Sequence, residues 1–406
     1  MEESIFLSMD EEEILRRKKA AYRAVMRQKR RKKRLVKARL ILAGLILFIV
    51  LIIGLLVFMI SRLIDAVRAG HETEPLSAAF GGIERALEPE PVEEEVIEEP
   101  EQRLYHASED GNIAGIGGEV VGSYVILVDK TNDRVMAGRN YKTVINPASM
   151  TKVLTLLVAV EHLSPEQLDD TFTLTFDITN YAYVHDCSTA GFAENETVTV
   201  RDLLYGTILP SGGDAAVGLA TYIAGSHEAF VEMMNEKLAE MGLADTAHFT
   251  NCVGLYDEAH HCTCYDMAMI MATAMDNELC REILSARKYT TSSTPEHPAG
   301  IDLSNWFLRR IEDKDCGLTV LGGKTGFVKE SGNCAVSLGV RDDGSEYVCV
   351  VAASRSAWRC IYDHVAVYQQ FFDAGYVPMS EEEAESAIEE DTQEWKEIKR
   401  QEEEQR

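Results

Sequence analysis

Positive charge is scarce in this chain once its first residues are passed. The 406 residues hold 40 Lys and Arg against 67 Asp and Glu. Residues 1–39 carry about +8, whereas 61–118 carry about −10, 119–379 about −17 and 380–406 about −8. A body of that sign repels phosphate backbones, which argues against nucleic-acid binding by the large acidic part. Cysteine is absent before residue 180, and the nine that follow form an odd, scattered set. Such a set does not build a disulfide framework in a chain this long. They read as free thiols, with Cys334 and Cys349 as small hydrophobes in apolar stretches, and pairing among some is left open. No internal repeat is visible, and uncharged apolar runs of membrane length are missing except at one place.

That place is Leu40 to Ile60, 21 residues without a charge. At about 1.5 Å per residue it spans roughly 30 Å, the thickness of a hydrocarbon core. The flank from Arg27 to Arg39 is densely basic and the far side soon turns acidic, so the N-terminus is expected in the cytoplasm and everything after Ile60 outside. The other reading is a cleaved signal peptide, with Val67 and Ala69 offering a small-residue pattern. The basic region and the apolar run are both longer than such signals use, so an uncleaved anchor is expected.

The expected organisation is a basic cytoplasmic segment (1–39), a membrane helix (40–60), a spacer (61–118), a globular domain (119–379) and an acidic tail (380–406). The spacer joins Pro to closely spaced Glu between Glu88 and Gln102, which should keep it extended. The tail is Glu-rich without a broad apolar face, either a solvated helix or disordered.

In the globular part, Ser123–Lys130 and Arg134–Asn140 flank a short turn and predict a β-hairpin. Pro147 announces a helix from about Ser149 to His162. Helices follow over Ala215–Ala224 and Ser226–Met241. Strands return from Leu318 to Ser354, with Asp343-Gly344 as a hairpin turn, before a last helix over Arg359–Phe372. Strands at both ends with helices between predict an α+β domain, one antiparallel sheet completed by the two chain ends and flanked by helices.

Three short motifs occur in order: Ser149-Met150-Thr151-Lys152, Ser211-Gly212-Gly213 and Lys324-Thr325-Gly326. Ser149 and Lys152 are three apart at a helix start and so share a face. A serine hydroxyl needs a base at hydrogen-bond distance, and a lysine serves if burial and nearby cations depress its pKa. Lys324 is a candidate for that neighbouring cation. The plain alternative for Ser149 is a helix N-cap. Ser211 lies between two helices and could relay a proton, or could be a turn serine beside two glycines. Lys324 and Thr325 on a strand could hold a carboxylate while the backbone pairs with an extended peptide, Gly326 allowing close approach. The alternative is a surface lysine on an edge strand.

These residues resemble the serine D-alanyl-D-alanine carboxypeptidases, the low-molecular-mass penicillin-binding proteins of S11 peptidase type. The likeness extends to INPASMTKVLTLLVAVE, VTVRDLLYGTILPSGGDAAVGLA, LGGKTGF and HHCTCYDMA, and covers about 119–379. It implies a β-lactamase/transpeptidase-like fold and an acylation–deacylation route. By matched position Ser149 is the nucleophile, Lys152 the general base and Ser211 the proton relay. Lys324 and Thr325 hold the terminal carboxylate, and the Ser149 and Phe327 N–H groups form the oxyanion hole. Arg359 is loosely matched to an arginine that helps bind that carboxylate. The implied partners are a peptidoglycan stem peptide ending in D-Ala-D-Ala, β-lactams as inhibitors, and the membrane. No cofactor is implied.

Three departures stand out. The family's second motif usually reads S-x-N, and position 213 is Gly. Many relatives carry a C-terminal β-rich domain and amphipathic anchor, whereas here the globular part is expected to stop near Met379 and the N-terminal span to replace that anchor. Cys stands at 262 and 264 within the His260–Cys264 cluster, where packing is expected over a zinc site because the spacing is too tight. A β-lactamase is disfavoured because no E-x-x-L-N loop occurs. A penicillin- or peptidoglycan-binding sensor that is acylated without turnover, and an inert wall tether, remain as alternatives.

Overall fold

The computed structural model describes residues 105–404. The membrane span expected over Leu40–Ile60, the basic segment before it and the spacer up to residue 104 lie outside the described residues. Among the described residues no helix is long and apolar enough to cross a membrane.

Strands β1 (Tyr124–Asp129) and β2 (Arg134–Arg139) form the N-terminal hairpin. A 3₁₀ turn, Ala148–Thr151, leads into α1 (Lys152–Glu161). The middle comprises β3 (Thr171–Thr173), α2 (Phe176–Val184), β4 (Thr197–Thr199), α3 (Val200–Ile208), α4 (Gly213–Ala224) and α5 (His227–Glu240). Then come α6 (Cys264–Asp276), α7 (Glu278–Ser285), a ribbon of β5 (Lys288–Thr290) with β6 (Asp302–Ser304), and the single turn α8 (Leu308–Ile311). Strands β7 (Thr319–Val328), β8 (Gly332–Val340) and β9 (Glu346–Ser354) follow, with α9 (Ala357–Phe372) and α10 (Glu381–Glu404).

The main sheet has the order β2-β1-β9-β8-β7, every neighbouring pair antiparallel. The N-terminal hairpin thus pairs with the last strand, so the two ends close one sheet. Central strands β1, β8 and β9 are buried on both faces, which is why they read as continuous apolar runs rather than alternating ones. Alternate residues still sort by face. Ile126, Val336 and Val350 point into the larger core under the helices. Val125, Leu127, Cys349 and Val351 point into a second core covered by α9. Helices α1 and α6 run through the larger core with nearly every side chain buried, as helices apolar on all sides must.

Ahead of residue 119, Tyr105 and Ala107 are already buried, and the backbone of Ser108 and Ala114 bonds to the β2 region. The few apolar side chains of an otherwise polar segment dock there. At the other end the acidic tail takes the helical one of its two expected forms, capped by Ser380, with Ala384 buried.

Candidate active site

The 3₁₀ turn is what aims Ser149 and Lys152 at each other. With three residues per turn, positions i and i+3 eclipse, and the helix expected from about Ser149 opens with this tighter turn. Lys152 Nζ donates to Ser149 Oγ at 3.1 Å and to the Val253 carbonyl at 2.7 Å. Ser149 is not a helix N-cap: α1 is preceded by Thr151. Ala148, just ahead of the serine, is fully buried at φ 47°, a conformation costly for a residue with a Cβ. The Asn146 side chain holds the turn, accepting from Ala148 N–H and donating to the His260 carbonyl.

Lys152 is 2% exposed. Burial brings its pKa down to about 8, against an upward pull from Cys187, Cys252 and Asp214. A lysine so placed is poised near neutrality to take a proton. Lys324, equally buried, lies well below its ordinary value through burial first and the nearby Lys152 amine second. Lys324 Nζ donates to Ser211 Oγ at 2.9 Å and to the Thr325 carbonyl at 2.8 Å. Ser211 sits between α3 and α4 at φ 64°.

The three motifs converge. Ser149, Lys152, Ser211, Thr325, Gly326 and Phe327 line one cleft of about 360 Å³, with Lys324 bonded to the serine at its wall. Gly326 is needed for close approach, though to the serine's own turn. A Cβ there would lie 2.9 Å from Ser149 N and 2.8 Å from Cys334 Sγ. Phe327 stands 62% exposed at the rim.

Arg359 does not join them. Its Nε lies 3.3 Å from Asp363 Oδ1, its Nη2 donates to the Glu119 carbonyl, and it lines a separate small cavity with Tyr376 and Ala384. The reason is helix phase: Ala357 and Cys360 of α9 face the cleft, and Arg359 projects elsewhere. Arg310 lines the cleft instead, its guanidinium carbon 5.1 Å from the ring centres of both Trp306 and Trp358. The only sequence signal for it was Trp306 and Arg310 at helical i, i+4 spacing.

Sequence reasoning also missed the loop after α5. Asn251 Oδ1 accepts from the N–H groups of Val253, Gly254 and Leu255, presenting the Val253 carbonyl to Lys152. The His260–Cys264 cluster forms scaffold. His260 Nδ1 accepts from Thr250 N–H, so its Nε2–H donates to Thr151 Oγ1 at 2.8 Å. Burial holds this ring neutral, with a pKa near 3, and it stacks on Phe249. Cys262 and Cys264 are buried thiols. Among the described residues no three His, Cys, Asp or Glu side chains converge on a metal-sized site.

The family model described as D-alanyl-D-alanine carboxypeptidase matches residues 114–355. The chain belongs to this family. It is 28% identical over 229 residues to the D-alanyl-D-alanine carboxypeptidase DacF of Bacillus subtilis, covering 56% of this chain and 57% of that protein. It is 36% identical over 162 residues to DacD of Escherichia coli, covering 39% and 41%. The chain therefore spans about half the length of these curated relatives. Among solved structures, the Streptomyces K15 DD-transpeptidase superposes with a TM-score of 0.55 at 25% identity, covering 64% of this chain and 98% of that one. Penicillin binding protein 5 of Haemophilus influenzae gives 0.56 at 26%, covering 62% and 71%. Within this family of serine carboxypeptidases, the Ser149–Lys152 and Ser211–Lys324 pairs are the features that call for a chemical account.

Proposed function

We propose that the chain is a serine D-alanyl-D-alanine carboxypeptidase that removes the terminal D-alanine from peptidoglycan stem peptides. The observation that carries this is the contact between Lys152 Nζ and Ser149 Oγ inside a cleft that also holds the Lys324–Ser211 pair.

The neutral amine of Lys152 takes the Ser149 hydroxyl proton as Oγ attacks the carbonyl between the two D-alanines. The oxyanion forms against the Ser149 and Phe327 N–H groups. Collapse breaks the peptide bond, and the proton that Lys152 gained passes through Ser211, whose hydroxyl Lys324 holds, to the leaving amine, so Lys152 is neutral again. D-Alanine departs, leaving an ester on Ser149. Water gives a proton to Lys152 as it attacks that ester; the acyl–Oγ bond breaks, the shortened peptide leaves as its carboxylate, and Ser149 Oγ takes the proton back from Lys152. The substrate's terminal carboxylate meets Thr325, the Lys324 amine and the Arg310 guanidinium. β-Lactams present the same carbonyl and carboxylate and acylate Ser149.

The 21-residue apolar run behind a densely basic flank supports a catalytic domain held outside the cytoplasmic membrane by one N-terminal span. Carbonate extraction of membranes, with protease added to intact spheroplasts, tests that topology. Intact-mass spectrometry after benzylpenicillin tests the chemistry. A single penicilloyl adduct mapping to Ser149 and lost in Ser149→Ala is expected, and no adduct on a folded protein would overturn the proposal.

A further inference from the structure

Position 213 holds Gly where the family's second motif usually carries Asn. Gly213 does not adopt a positive φ, so its backbone does not demand glycine. Space does. A Cβ at 213 would lie 2.8 Å from Cys187 Cβ and 3.2 Å from Cys187 Sγ. Cys187 arrives from the loop after α2, and that loop is pinned to the start of α4. Gly213 N–H donates to the Ser188 carbonyl at 2.7 Å. The Asp214 carboxylate accepts from the N–H groups of Ala190 at 2.8 Å and Gly191 at 3.2 Å. Cys187 N–H donates to the Ala182 carbonyl at 2.9 Å. The segment is thus fixed, and Cys187 lines the cleft beside Ser149, Lys152 and Ser211. Of the nine cysteines it alone is not buried; Cys334 and Cys360, also in the cleft wall, are 1% and 2% exposed.

We infer that Cys187 supplies, from a different segment, the side chain that position 213 lacks, and that its thiol is a specificity-determining contact for the acyl part of the bound peptide. The inference rests on the proposed reading of the cleft as the peptide site. An Asn amide offers two donors and an acceptor, whereas a thiol offers a compact, polarisable surface with weak hydrogen bonding. Acyl groups that pack against sulfur are favoured here over those needing an amide partner. Burial, the largest influence on this thiol, raises its pKa, so it stays protonated and does not compete with Ser149 as nucleophile.

The test uses the full-length protein. Iodoacetamide with peptide mapping should alkylate Cys187 first among the nine, and prior acylation by benzylpenicillin should protect it. A four-protein cycle then compares wild type, Cys187→Ala, Gly213→Asn and the double variant, each checked by melting temperature. Cys187→Ala should raise the peptide KM several-fold with kcat within twofold. Gly213→Asn alone should slow penicillin acylation at least tenfold, and the double variant should recover most of that loss. Should Gly213→Asn fail to fold, its rescue by Cys187→Ala in melting temperature carries the same coupling. If the wild type takes no penicillin and releases no D-alanine, the proposed function falls. The inference falls separately, when an active wild type resists alkylation at Cys187, when Cys187→Ala matches it in peptide KM, or when the two substitutions are additive.

Discussion

Gly254 lies so close to Ala148 that one added carbon would stand 1.8 Å from the Ala148 carbonyl oxygen and 2.8 Å from Ser149 N. Gly254 also sits at φ 81°. The loop that presents the Val253 carbonyl to Lys152 is therefore the same loop that backs the serine's turn. Gly254→Ala combines a left-handed conformation, costing about 1–3 kcal/mol, with a collision against backbone. We expect a melting temperature several degrees lower and acylation slowed at least tenfold, read by differential scanning calorimetry and a fluorescent penicillin. Full stability with full activity would show that the loop moves freely.

The base is predicted to announce itself in pH dependence. Burial depresses Lys152 to about 8, and only the neutral amine can accept the Ser149 proton. The acylation rate constant should rise about tenfold per pH unit below 8 and level off above it, because the cation is lost as pH rises. Stopped-flow acylation from pH 6 to 9.5 checks this. Lys152→Ala should flatten the profile at a rate lower by roughly 10²–10⁴.

Two arginines should separate binding from stability. Arg310 faces the cleft, so Arg310→Ala should raise the peptide KM about tenfold or more with little change in melting temperature. Arg359 is buried beside Asp363 on the far side of α9. Removing one partner of such a pair costs about 3 kcal/mol or more. Arg359→Ala should unfold earlier in urea while its folded fraction keeps the wild-type KM.

The second pair makes its own claim. Lys324 holds Ser211 Oγ at 2.9 Å, so Ser211→Ala should slow release of the leaving amine while Ser149 stays intact. Expected is a kcat loss of roughly 10²-fold on the peptide with a smaller loss in penicillin labelling, read in parallel assays.

Much of the fold was legible because its signals are local. The Asp343-Gly344 turn, the apolar runs of β8 and β9 and the spacing of Ser149 to Lys152 all lie within a few residues. What escaped depends on tertiary contact. The Val253 carbonyl is a backbone group with no residue signature, and it reaches Lys152 across about a hundred positions of chain. Cys187 meets Gly213 only because Asp214 and Ser188 clamp two loops together. Arg359 was misplaced because a loose alignment cannot fix helix phase, and one step along α9 decides between cleft and core. The packing of Tyr105 and Ala107 was not legible because the few apolar residues of 105–118 are scattered without a helix or strand period.

The most direct test is release of free D-alanine from a diacyl-L-Lys-D-Ala-D-Ala peptide by the full chain in detergent, beside its Ser149→Ala variant. Turnover that disappears with the hydroxyl, in a variant that melts like wild type, is the result predicted. Equal release from both proteins, or none from a folded wild type, would contradict the account.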